Sequence, residues 1–193
     1  MKTAKLLALG LCAIVITSTF AGEKSETAVL AAGCFWCLEA IFEQQPGVIN
    51  VDPGYAGGTM LNPTYENHGH GADSHAESIE ITFDPEKTSF EKLLDVYWRS
   101  FDPTEGRGVA PDFGPSYRPI VFYLTPGQKK TAEASKAALQ KTLDKPVAVE
   151  IKALDKFWPA EEYHHDYAEK NPNSPYVRSV TYEPMDRVGA EHP

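Results

Sequence analysis

An apolar run, Ala28-Val29-Leu30-Ala31-Ala32, leads directly into Gly33-Cys34-Phe35-Trp36-Cys37, and no other stretch constrains the chain as tightly. The run reads as a short buried strand. Leu38, Ile41 and Phe42, set among Glu39, Glu43 and Gln44, read as the apolar face of an amphipathic helix. Cys34 then falls where a strand hands over to a helix N-terminus. There, unpaired backbone N–H groups and the positive end of the helix dipole favour a thiolate over a thiol. Cys37 sits on the neighbouring turn, within reach of the first sulfur. Two thiols can simply be small buried hydrophobes, but a pair beside a glycine turn with no other cysteine nearby points to redox chemistry.

The remaining cysteine, Cys12, lies in a leader. Lys2 and Lys5 make the first residues basic, Leu6 to Ile16 is apolar, and Thr19-Phe20-Ala21-Gly22 offers small residues around a cleavage point after Ala21. The apolar run is too short to span a bilayer comfortably, and the bulky Leu11 before Cys12 argues against lipid attachment. This predicts a signal peptide over 1–21, export to the periplasm or exterior, and one catalytic domain over 22–193 with its core at about 28–183. After cleavage only Cys34 and Cys37 remain. A bridge between them closes so small a loop that it adds little stability, so the pair reads as functional. Removing a leader with two lysines and no acid takes the formal net charge from −9 to −11. That balance argues against nucleic acid or an anionic membrane as partner.

Along the chain, a strand at 28–32 and a helix at 35–45 are followed by a strand from Val48 that runs towards Pro53-Gly54-Tyr55-Ala56-Gly57-Gly58. The glycines lack the Lys-Ser/Thr ending of a phosphate loop and read instead as tight backbone beside Tyr55. Ala76 to Phe83 alternates, which puts Ile79, Ile81 and Phe83 on one face, and Glu77 shares their parity. Thr88 and Glu91 form a capping box for a helix to about residue 100. A strand at 119–124, a helix from Pro126 to about 143 and a strand at 147–151 complete the regular elements. The order β-α-β-β-α-β predicts an α/β (α+β) domain with a ferredoxin-like split core. Long loops at 59–75 and 102–116 and an irregular aromatic tail from 156 wrapped over the domain complete the expectation.

Around the thiols the chain offers an acid, Glu77, two phenols, Tyr55 and Tyr117, an aromatic wall, Phe35 and Trp36, and a second carboxylate, Asp112. A thiolate attacking an electrophilic sulfur needs the departing oxygen protonated, and a carboxyl in an apolar pocket can hold a proton for it at neutral pH. Phenols can hydrogen-bond that oxygen, and aromatic faces can hold an S-methyl group. The product at Cys34 would be a sulfenic acid, which Cys37 can condense into a disulfide. His68, His70 and His75 lack the spacing and cysteine company of a metal site, so none is expected.

Gly33-Cys34-Phe35-Trp36, Gly54-Tyr55-Ala56-Gly57-Gly58, Asn62-Pro63-Thr64-Tyr65, His75-Ala76-Glu77, Tyr117-Arg118 and Ala160-Glu161-Glu162-Tyr163-His164-His165-Asp166-Tyr167 together resemble the A-type peptide methionine sulfoxide reductases. The resemblance runs from about residue 28 to 178. It implies Cys34 as nucleophile, Glu77 as the acid, Tyr55 and Tyr117 on the sulfoxide oxygen, Phe35 and Trp36 around the methyl group, and Asp112 on the substrate backbone. It also implies S-epimer methionine sulfoxide, free or in oxidised proteins and peptides, as substrate. No cofactor or metal is implied, only an external thiol reductant such as a thioredoxin-like protein. Many relatives carry resolving cysteines near the C-terminus in a Pro-Tyr-Cys context, or in the loop before the glutamate. Here Pro175-Tyr176 precedes Val177 and the loop holds His68-Gly69-His70-Gly71, so resolution falls to Cys37 or to an outside thiol. The CxxC pair is also the motif of thioredoxin-type disulfide exchangers, but bulky Phe35-Trp36 leaves poor room to dock a protein disulfide. A monomer with no membrane anchor is expected.

Overall fold

Backbone pairing in the computed structural model, which describes residues 24–71 and 73–193, assembles a mixed α/β fold on one six-stranded sheet. The expected leader over 1–21 lies outside the described residues. β1 (Glu26–Ala31), α1 (Phe35–Glu43), β2 (Val48–Ala56), β3 (Ala76–Phe83) and α2 (Phe90–Ser100) come first. A two-stranded hairpin, β4 (Gly108–Val109) and β5 (Asp112–Phe113), precedes a 3-10 turn (Pro115–Tyr117), β6 (Ile120–Tyr123), α3 (Pro126–Gln140) and β7 (Glu150–Ala153). β8 (Phe157–Pro159), a second 3-10 turn (Glu162–His164), α4 (Tyr167–Lys170) and α5 (Pro175–Val188) follow. The strand order is β7-β6-β1-β3-β2-β8. Among the described residues only β6 with β7 is parallel; every other pairing is antiparallel.

Strand alternation sorts the two faces. Ala28 and Leu30 on β1, Val51 and Tyr55 on β2, and Ile79, Ile81 and Phe83 on β3 join the main core with α1 and α2, while Val29, Ala31, Ala56, Ala76, Ile120 and Phe122 form a smaller cluster behind. A fully buried leucine or isoleucine on such a face contributes about 1.5–3 kcal/mol. Glu77 follows the parity of Ile79 and is buried at 2% exposure.

Several expected boundaries move. β2 does not stop before Pro53-Gly54 but continues to Ala56, because Gly54 lets β8 lie against it: a Cβ there would come within 2.4 Å of the Trp158 carbonyl. The cap of α2 is Ser89, whose side chain accepts from the Lys92 N–H, whereas the Thr88 N–H is already spent on the Asp84 carbonyl. α3 stops at Gln140, whose Oε1 accepts from the Val147 N–H, and the following segment enters the sheet only at Glu150. The loop at 102–116 is not structureless but carries the β4–β5 hairpin.

The tail is the largest correction. It wraps the domain as expected, yet it is not irregular: α5 runs for 14 residues and packs on α1 and α2. Ser174 caps it, Pro175 fills its first position, and Val177, Val180, Thr181 and Met185 form its buried stripe. Pro184 inside the helix hides this pattern from a reading of the sequence, since a proline removes one helical hydrogen bond. Among the described residues no helix is long and apolar enough to cross a membrane.

Candidate active site

Gly33, with φ +64°, turns β1 into α1, and a Cβ there would lie 2.7 Å from Val109 Cβ. Its N–H donates to the Tyr117 carbonyl at 3.0 Å, which ties the start of α1 to the 3-10 turn. Cys34 is the N-cap of α1 and is buried at 5% exposure, and both Cys34 and Cys37 are free thiols.

The thiolate expected from the helix position is not the resting form. Burial first, then the neighbouring Glu77 and Cys37, push the Cys34 thiol well up, against the opposing pull of the Trp36 N–H and the Tyr176 hydroxyl. A helix N-terminus acts through partial charges, and here desolvation outweighs it. Cys37 is pushed up to about 12 by burial and by Asp112.

Glu77 meets the expectation for a proton-bearing carboxyl. The Phe35 N–H donates to its Oε2 at 3.0 Å, yet burial, with a smaller contribution from Asp112, raises it to about 8. It is therefore largely protonated at neutral pH. Asp112 itself is raised by burial and accepts from the Tyr176 hydroxyl at 2.8 Å.

The two expected phenols differ. Tyr55 is fully buried, and its hydroxyl donates to Glu161 Oε2 at 2.7 Å. Tyr117 is half-buried, and burial, then Glu77 and Asp112, raises its phenol. Among the described residues no protein group hydrogen-bonds the Tyr117 hydroxyl, so its donor is open to a ligand. Phe35 and Trp36 do form a wall. Tyr65 stacks on both, with centroids at 6.4 and 6.2 Å, and Tyr167 lies parallel to Trp36 at 3.8 Å. The Trp36 indole N–H donates to His164 Nδ1 at 3.1 Å. Tyr65, stacked on that wall, and Tyr176, against Trp36, are each more than a third exposed.

Reading the residues one by one leaves Tyr65, Glu161, His164, Tyr167 and Tyr176 without a site role. Four of these sit inside the Asn62–Tyr65 and Ala160–Tyr167 motifs, which were the available signal; Tyr176 had only its aromatic character. The histidine loop is structural at His75, whose Nδ1 accepts from the Gly58 N–H while Nε2 faces the Met60 carbonyl at 2.9 Å.

Buried carboxyls also set a pH dependence of stability. Glu39 and Glu77, each almost fully buried, are both raised to about 8, so between the ordinary carboxylate range and that value the folded state holds more protons than the unfolded one. Stability must then fall as pH rises. His164, lowered to about 4, and His68, also lowered, act in the opposite sense, but only below the ordinary histidine value of 6.5. The melting temperature is therefore expected to drop from pH 6.5 to 8.5, with a smaller drop in Glu39→Gln. Calorimetry that found a rising melting temperature over that window would refute the assignment.

Comparison with known proteins agrees with this geometry. The family model described as peptide methionine sulfoxide reductase matches residues 26–192. Peptide methionine sulfoxide reductase MsrA 2 of Staphylococcus aureus is 49% identical over 149 residues, covering 76% of this chain and 84% of the relative. Peptide methionine sulfoxide reductase MsrA of Listeria monocytogenes is 47% identical over 150 residues, covering 77% and 85%. Among solved structures, reduced Mxr1 from Saccharomyces cerevisiae superposes with a TM-score of 0.76 at 28% identity, covering 82% of this chain and 92% of that one. A match over residues 26–192, nearly the whole described chain, places this chain in the peptide methionine sulfoxide reductase family.

Proposed function

We propose that the chain reduces the S epimer of methionine sulfoxide, in oxidised proteins and peptides or free, with Cys34 as nucleophile and Glu77 as acid. The observation that carries the reading is a carboxyl, raised to about 8, buried beside a thiol at a helix N-cap. The Cys34 sulfur attacks the sulfoxide sulfur while Glu77 gives its proton to the oxygen. The thiol proton returns to the vacated carboxylate. The hydroxyl oxygen then passes from the substrate sulfur to the Cys34 sulfur as the sulfoxide S–O bond and the transient sulfur–sulfur bond both break, which leaves methionine and a Cys34 sulfenic acid. Tyr117, and Tyr55 on release from Glu161, would hold the oxygen. Phe35 and Trp36 would hold the methyl group, and Asp112 the substrate backbone. The Cys37 sulfur then attacks Cys34, water departs with the Cys37 proton, and a Cys34–Cys37 disulfide remains for an external dithiol to reduce.

The recycling partner in this reading is a thioredoxin-like reductant delivered to an exported, monomeric, single-domain enzyme that works without bound cofactor or metal. The basic leader supports the export. The antiparallel order β6-β1-β3-β2, with α1 and α2 as connections, supports reading the centre as a ferredoxin-like split core.

A single turnover tests the reading. Reduced protein mixed with excess peptide bearing S-epimer sulfoxide, without reductant, is expected to yield about one methionine and lose two thiols. Cys37→Ser should still yield one methionine but leave a sulfenic acid that a trapping reagent labels. No methionine from the unaltered protein would favour disulfide exchange instead.

A further inference from the structure

We infer that His68 is a positioning residue for Glu77: its Nε2 lone pair is the acceptor towards which the Glu77 O–H is directed. The inference rests on the reading of Glu77 as the acid and deepens it.

The tautomer of His68 is fixed by its surroundings. Nδ1 lies 3.2 Å from the Thr64 carbonyl oxygen and 3.1 Å from that of Tyr65. Both are acceptors, so Nδ1 must carry the proton and Nε2 of the neutral ring presents a lone pair. The ring is 4% exposed, and Nε2 is buried without a hydrogen-bond partner. Such an orphan is costly in a core and calls for an explanation. The polar atom it faces is Glu77 Oε1, at 3.7 Å. Glu77 Oε2 already accepts the Phe35 N–H, so a proton on this carboxyl belongs on Oε1. Donor and acceptor thus face each other across a gap that a shift of about 0.7–1 Å closes to a hydrogen bond. Stacking of the imidazole on Tyr55, at 4.5 Å and 21°, holds the ring in that orientation.

The neighbours of the pair favour the same arrangement. Around Glu77 stand Cys34 at the start of α1, Tyr55 on β2, Tyr65 in the loop, Asp112 on β5 and Tyr117 in the 3-10 turn; none brings a positive charge. Around His68 stand Glu161, which favours a charged ring, and His75 and His164, which oppose one, and burial keeps the ring neutral. A neutral acid donating to a neutral ring is the protonation pattern that this low-dielectric site favours. No proton need leave Glu77 for His68 to act: the ring holds the O–H in place until a sulfoxide oxygen competes for it.

Nitrogen NMR of the reduced, substrate-free protein tests this without reference to turnover. His68 is expected as the Nδ1–H tautomer, with an Nε2 resonance that moves as pH crosses the Glu77 titration and stays fixed in Glu77→Gln. An Nε2–H tautomer, or an Nε2 signal blind to that titration, overturns the inference even if the protein is a reductase. In single-turnover kinetics, His68→Leu should move the alkaline limb of the reduction rate to lower pH by at least half a unit with KM little changed. His68→Gln, which restores a carbonyl acceptor, should return it. An unmoved limb in His68→Leu also overturns the inference, and should that variant not fold, the NMR of the native ring decides.

Discussion

Cys34→Ser is expected to abolish sulfoxide reduction while leaving the fold in place. The side chain is buried at 5% exposure at the N-cap of α1, a position where serine is a preferred residue, so no packing is lost. What disappears is the polarisable sulfur that, in the proposed mechanism, attacks the sulfoxide and then bears its oxygen. A hydroxyl is far less nucleophilic and forms no sulfenic acid. The check is methionine formed per chain in a single turnover beside the melting temperature. Normal stability with no methionine is the expected pair. Methionine formed at the native rate would end the mechanism.

Glu77→Gln has the next largest effect, a slowing of the reduction step by roughly 10²–10⁴-fold, the usual range for a positioned general acid. The amide oxygen can still accept the Phe35 N–H that now bonds Oε2, so the start of α1 keeps its anchor. The amide has no proton to give. The sign of the pH dependence follows from the same group. Glu77 is raised to about 8, so the protonated form that the proposed mechanism needs predominates below that value and is lost as pH rises through it. Cys34 adds no competing gain in that range, because its thiol is pushed well up. Native single-turnover rates should therefore decline above pH 8, and the decline should vanish in Glu77→Gln. A variant with native rates and the native alkaline limb would remove Glu77 from the chemistry.

The parts of the site legible in the sequence are those carried by local pattern. The strand-to-helix junction at Gly33-Cys34 and the inward parity of Glu77 need only a few neighbouring residues to be read, and both stand where that pattern puts them. What escaped depends on pairs far apart in the chain. Tyr55 meets Glu161 across 106 residues, and Trp36 meets His164 across 128, with no periodicity to announce either contact. The protonation of Cys34 escaped for a different reason. A helix terminus is visible in sequence, but the depth at which it is buried is not, and depth decides the thiol. The tail helix was hidden by Pro184, which argues locally against the element that Ser174, Pro175 and the Val177–Met185 stripe build.

That helix has a consequence for recycling. The Tyr176 hydroxyl, at the start of α5, is fastened to Asp112 and lies against Cys34. A resolving cysteine carried on a tail would have to swing inward at every cycle. Here both thiols ride on the first turn of α1, where the Cys37 N–H already bonds the Cys34 carbonyl at 3.2 Å. With Cys37 as resolver, the tail can stay docked from one end of the cycle to the other. A reductant then meets a tail docked in the same place whether the enzyme is spent or ready.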